Sequence, residues 1–229
     1  MCGRFTLTVD PSELQQTFPW LKLPADSGVT PRYNVAPTQA VAGVANNGQH
    51  TLEMFRWGLI PAWSKDPAIG NRLINARAET LADKPSFRLA FKRRRCLILA
   101  DGFYEWREEP NGKTKTPMYI RLKSSEPFAF AGLWEAWRSP EQKSILTCTI
   151  ITTTPNALME KIHDRMPAIL KPEAYERWLD PEPREPEELS KLLKPYPASH
   201  MAAYPVSRAV NNPANDSPEC IAPALTSGR

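Results

Sequence analysis

Long apolar runs are missing from this chain of 229 residues; none approaches the roughly 18 positions a membrane helix needs. No basic segment followed by an apolar stretch opens it, so a secretory signal is not expected. Histidine is scarce (His50, His163, His200), and Cys2, Cys96, Cys148 and Cys220 lie far apart with no CxxC. No zinc-ligand spacing can be assembled from them, and no metal is expected. A glycine-rich phosphate cradle is also lacking, which argues against nucleotide hydrolysis, and no cofactor is called for. The 24 prolines against 10 glycines argue against long uninterrupted helices and for many short elements. The expectation is a cytoplasmic protein without a membrane association.

What is present reads as a globular α+β chain, 41% hydrophobic and 24% charged, with a net charge of +4. Val41–Val44, Thr51–Trp57, Arg95–Trp106, Met118–Leu122, Phe128–Trp134 and Ser144–Thr152 are rich in β-branched and aromatic residues and predict strands. Asn111-Gly112 is a hairpin turn signal. Short helices are expected from Pro11 to about Thr17, over Ser86–Lys92, Pro172–Leu179 and Pro186–Leu193, and over Ala157–Ile162 after a Thr154-Pro155-Asn156 cap. Strands in the middle with helices around them predict an antiparallel, barrel-like β core with short peripheral helices. One domain over 1–211 is expected, followed by a loosely structured tail over 212–229. The basic run Lys92-Arg93-Arg94-Arg95 fits a solvated helix end as well as a DNA contact.

Cys2 follows the initiator methionine directly. Cysteine is small enough for that methionine to be trimmed, which would leave a thiol and an α-amine on one residue. Their unperturbed pKa values, about 8.5 and 7.7–8.0, keep a fraction of each nucleophilic at neutral pH. Such a 1,2-aminothiol condenses with an aldehyde to an imine and then a thiazolidine; against an amide it is an N-terminal nucleophile. A retained Met1 would block ring closure.

Four clusters place polar chemistry beside packing residues. Asn75-Ala76-Arg77-Ala78-Glu79 offers an amide to orient an oxygen or amine and a guanidinium to clamp an anion, or else a turn with surface charges. In Asp101-Gly102-Phe103-Tyr104-Glu105-Trp106, strand alternation leaves Glu105 either enclosed, with a raised pKa suited to acid–base work, or in solvent. Lys161-Ile162-His163-Asp164-Arg165 sets a proton shuttle beside an acid and an anion contact; the plainer reading is a helix-terminal histidine. Phe55-Arg56-Trp57-Gly58-Leu59-Ile60-Pro61-Ala62-Trp63 holds tryptophans that can stack on bases, although core packing suits Trp57 better.

Met1–Phe5, Arg32–Pro37, Arg56–Pro61, Ile74–Thr80, Asp101–Trp106, Ile162–Pro167 and Pro205–Val210, in that order, resemble successive blocks of the SOS-response-associated peptidase (SRAP) family. The resemblance covers nearly the whole chain. It implies a sensor of abasic sites in single-stranded DNA, cytoplasmic and nucleoid-associated when on DNA, that cross-links through Cys2 as a thiazolidine. It also implies that Asn75 orients the amine or sugar oxygen, that Glu105 opens the deoxyribose, and that His163 shuttles the proton. Arg4, Arg77 and Arg165 resemble the family's phosphate contacts, and Trp63 falls in the loop that stacks beside the lesion.

Two other readings stay open. In an amidohydrolase, possibly one that only removes its own Met1, Asn75 would stabilise an oxyanion and His163 would protonate the leaving amine. In a non-covalent single-stranded DNA binder, only the basic and aromatic residues would matter.

Overall fold

Prolines cut the helical segments short and leave the β-branched and aromatic runs to carry the architecture. The computed structural model describes residues 2–110 and 112–224. Its strands are β1 (Arg4–Leu7), β2 (Arg32–Val35), β3 (Ala40–Ala45), β4 (Leu52–Trp57), β5 (Asn75–Arg77), β6 (Arg95–Ala100) and β7 (Gly102–Glu108). They continue as β8 (Lys115–Leu122), β9 (Phe128–Arg138), β10 (Ser144–Thr153), β11 (Met166–Pro167), β12 (Ile169–Leu170) and β13 (Met201–Pro205). Short helices lie between them: α1 (Pro11–Thr17), α2 (Arg88–Arg93), α3 (Tyr175–Trp178) and α4 (Pro186–Ser190). At α1, Asp10 accepts from the amides of Ser12 and Glu13 while Glu13 accepts from the Asp10 amide, a reciprocal cap with proline at the first position.

The pairings β4–β3–β6–β9–β10 close on themselves, because β10 meets both β9 and β4. The result is a five-stranded barrel, antiparallel except at the β4–β10 seam. β5 also runs parallel to β10. A second, antiparallel sheet of order β13-β8-β7-β1-β2 packs on it. Phe5, Phe103 and Ile120 of that sheet share a core with Trp57, Ile98, Phe130 and Ile150 of the barrel. On the far side, Phe18, Phe91, Tyr175 and Trp178 cover Leu97, Leu99 and Leu133. β6 is therefore buried on both faces. This is the α+β architecture with a barrel-like core that strand content predicts.

Four local expectations are corrected. Arg95–Trp106 is two strands in two sheets. The break is at Asp101, whose buried carboxylate accepts from the Thr6 hydroxyl (2.5 Å), the Thr8 amide (2.6 Å) and the Thr8 hydroxyl (2.5 Å). Gly102 follows because a Cβ there would come within 2.2 Å of the Tyr119 hydroxyl. The expected helix after Thr154 is only a 3-10 turn, Met159–Lys161; Asn156 steers the chain into it, its side-chain oxygen accepting from the amides of Leu158 and Met159.

Arg95 is no part of a solvated helix end. It is fully buried, and its guanidinium donates to the carbonyls of Phe91, Lys92, Trp178, Asp180 and Glu182, while Arg94 pairs with Glu135. Finally, the segment from Asn212 to Ala224, although largely exposed, is tied to the sheet at named points. Asn34 donates to the carbonyls of Asn212 (3.1 Å) and Asn215 (2.7 Å), and Cys220 is buried. β7 and β8 pair antiparallel around the predicted turn, of which Asn111 lies outside the described residues.

Candidate active site

Strand alternation decides where Glu105 points. Phe103 belongs to the core between the sheets, so Glu105, two positions on, faces the same way and is 2% exposed. Tyr104 and Trp106, of opposite parity, pack on the other face with Tyr119 and Val206. Burial pushes the Glu105 carboxyl from 4.5 up to about 7, with the Asp164 charge adding to the rise.

The β1–β7 register, Arg4 opposite Tyr104 and Phe5 opposite Phe103, brings the start of the chain alongside Glu105. Cys2, just outside β1, turns into the core with Phe5 and Phe103 and has no exposed surface. Its thiol is pushed up, first by burial and then by the neighbouring Glu105 charge.

His163 stands in the segment between the 3-10 turn Met159–Lys161 and β11, which is anchored on β10 by the pairs Thr152–Pro167 and Thr153–Met166. Its Nε2 is 3.9 Å from Glu105 Oε2. Its Nδ1 accepts from the Arg165 amide at 3.0 Å, which in the neutral ring leaves the proton on Nε2, facing Glu105. Burial lowers the His163 pKa, and the exposed Asp164 carboxylate, 2.9 Å from Nδ1, opposes that only in part.

Asn75 enters through sheet register. It pairs with Ile150 on β10, and parallel partners share a face, so Asn75 lies with Ile150 toward the core that holds Cys2, and Thr152 follows on the same face of β10. Both the Oδ1 and Nδ2 of Asn75 are buried without a hydrogen-bond partner, as is the Thr152 hydroxyl. Buried polar atoms left this way cost about 1–3 kcal/mol each, a cost that a polar ligand at the site relieves. Thr152 joins the candidate site through the β5–β10 register alone, a pairing that sequence reasoning did not reach.

Cys2, Glu105, His163 and, through the sheet, Asn75 thus converge. The arginines divide. Arg77 is exposed beside Asn75. Arg165 forks onto Glu79 (2.7 and 2.9 Å) and donates to the Thr152 carbonyl (2.7 Å). Arg4 lies on the opposite face of its sheet, over the Trp106 ring, and donates to Asn34 (2.8 Å) and the Val210 carbonyl (2.6 Å). Trp63 is 63% exposed in a turn where the Ser64 amide donates to the Pro61 carbonyl. Trp57, by contrast, is wholly buried and donates to the Ile74 carbonyl.

The profile of the family described as SOS response associated peptidase (SRAP) matches residues 1–213. The chain belongs to the SRAP family. Among SRAP-like relatives, abasic site processing protein YoqW of Bacillus subtilis (strain 168) is 52% identical over 223 residues, covering 96% of this chain and 99% of its own. Abasic site processing protein HMCES of Gallus gallus is 32% identical, over 97% of this chain and 78% of its own. The SRAP fold recurs in a crystal structure of a Bacteroides thetaiotaomicron protein, at a TM-score of 0.86 and 29% identity over 98% of this chain and all of that one (100%). No helix among the described residues is long and apolar enough to cross a membrane.

Proposed function

We propose that this protein processes abasic sites, as the names of its SRAP relatives indicate for them, that its substrate is single-stranded DNA, and that it acts by covalent capture through Cys2. The observation that carries the reading is Glu105: a carboxyl almost wholly buried, with a pKa of about 7, set between Cys2 and His163.

An abasic deoxyribose is mostly a closed hemiacetal. Opening it requires a proton taken from the C1′ hydroxyl and one given to the ring oxygen. Near neutrality Glu105 is populated in both protonation states, which is the condition for efficient general acid–base work. Its 3.9 Å separation from His163 Nε2 is too long for a hydrogen bond. A substrate oxygen about 2.8 Å from each would bridge them.

With Met1 removed, the Cys2 amine adds to the C1′ aldehyde, and the carbinolamine loses water to form an imine. The Cys2 sulfur then adds to the imine carbon, its proton passing to the nitrogen, and the thiazolidine closes. Holding these groups together replaces a bimolecular condensation with a nearly unimolecular one, worth up to roughly 7–11 kcal/mol. The unpartnered Asn75 amide supplies a donor and an acceptor for the sugar oxygen or the amine. Arg77, exposed beside it, is the arginine best placed for a flanking phosphate. The same groups suit removal of Met1 by the protein itself, with Cys2 as nucleophile.

Intact-protein mass spectrometry before and after incubation with a single-stranded oligonucleotide carrying one abasic site tests this. Loss of Met1 followed by a protein-plus-DNA mass, absent in Cys2→Ala, is the expected result. Processed protein that forms no adduct would overturn covalent capture.

A further inference from the structure

Glu79 lies in the 3-10 turn Ala78–Thr80, directly after the strand that bears Asn75 and Arg77. Its carboxylate receives both arms of the Arg165 guanidinium, at 2.7 and 2.9 Å. A third Arg165 bond goes to the Thr152 carbonyl, at 2.7 Å. The Arg165 side chain is 12% exposed, so its charge is held in one geometry and depends on that carboxylate. Glu79 is in turn held below the usual carboxylate range by these hydrogen bonds.

The backbone of the same arginine does something different. Its amide donates to His163 Nδ1 at 3.0 Å, across only two residues. That bond occupies one ring nitrogen and leaves the neutral ring's proton on the other, toward Glu105. A two-residue hydrogen bond survives only while the local backbone keeps its path. What fixes the path here is the anchored Arg165 side chain on one side and the β10–β11 pairing on the other.

We infer that Glu79 is a positioning residue: through Arg165 it sets the ring orientation and tautomer of His163, tying the strand that carries Asn75 to the segment that carries the histidine. Without it, Arg165 has no carboxylate fork, the Arg165 amide leaves Nδ1, and the ring is free to carry its proton on Nδ1 and donate it in a hydrogen bond to Asp164, 2.9 Å away. The charged groups acting on His163 include Glu105, Asp164 and Lys115. Glu79 touches none of the reacting atoms in this scheme. The effect on capture rests on the function proposed above; the effect on the histidine does not.

The test is long-range 1H–15N NMR of histidine-labelled protein without DNA, comparing the native chain with Glu79→Ala, Glu79→Gln and Arg165→Lys. In the native chain the neutral His163 should show a protonated Nε2. Glu79→Ala and Arg165→Lys should convert it to a tautomer mixture and raise its pKa, with Glu79→Gln, which keeps an acceptor, in between. Should Glu79→Ala not fold, Glu79→Gln and Arg165→Lys carry the comparison. An unchanged tautomer and pKa in folded variants overturns the inference. Capture at pH 7 should fall roughly 10-fold to 100-fold in Glu79→Ala. A shifted tautomer with unaltered capture would uphold the positioning of His163 by Glu79 and count against the acid–base role of that histidine.

Discussion

His163 Nε2 and Glu105 Oε2 face each other at 3.9 Å, the histidine with a lowered pKa and the glutamate with one raised to about 7. Burial drives both shifts toward neutral side chains, so the pair holds one transferable proton without forming an ion pair. Glu105→Gln is expected to slow capture by about 10²–10⁴-fold, with little change in affinity for single-stranded DNA. Adduct formation followed on denaturing gels, beside equilibrium binding, measures both.

The same carboxyl makes a stability prediction. Its folded pKa, about 7, lies above the ordinary 4.5, so the folded state binds the proton more tightly. Stability contributed by the protonated form is fully present below 4.5 and is lost as the pH rises through 7. Glu105→Gln escapes that loss. Its advantage over the native chain in urea melts should grow between those pH values and level off above, reaching the order of a few kcal/mol. A variant equally offset at pH 4 and pH 8 would contradict the assignment.

Asn75→Leu separates stability from activity. It removes a buried donor and acceptor that have no partners, so the melt should rise, by about 1–2 kcal/mol, while abasic-site capture falls. Destabilisation together with retained capture would show that the amide serves the fold.

Arg95→Met tests the basic run. The buried guanidinium holds the carbonyls at the ends of α2 and α3, so the loss should be on the order of 3 kcal/mol or more in chemical denaturation. The salt dependence of DNA binding by the folded fraction should not change.

Trp63→Ala should leave the melt within about 0.5 kcal/mol, since the side chain is 63% exposed. If the indole stacks on a base, binding to single-stranded DNA weakens by about 1–3 kcal/mol, read by fluorescence titration.

The strands and the α+β class were legible because β-branched and aromatic runs mark them, and Trp57 was read correctly as core. Closure of the barrel was less so: the seam that completes it, β4 with β10, joins residues about ninety positions apart, as in Arg56 with Thr147, and leaves no local trace. The break at Asp101 was hidden because hydrophobicity continues across it; β6 and β7 are each covered on both faces. That double cover also explains why alternation alone could not place Glu105. Arg95 looked like a surface cation because its five carbonyl partners come from backbone, which composition does not register. The partners of Arg4 and Arg165 were equally invisible, being set by tertiary contacts with Val210 and Glu79.

Asp216 stands just past the residues that the SRAP profile matches. Where the β1–β2 register slips between Phe5–Val35 and Leu7–Arg32, the amides of Tyr33 and Asn34 converge on its carboxylate, which also pairs with Arg32. β2 is the outermost strand of its sheet. A chain shortened to the family boundary would bare two strand amides on that rim, an invitation to self-association through edge pairing. One carboxylate beyond the family boundary thus occupies two amides of an edge strand.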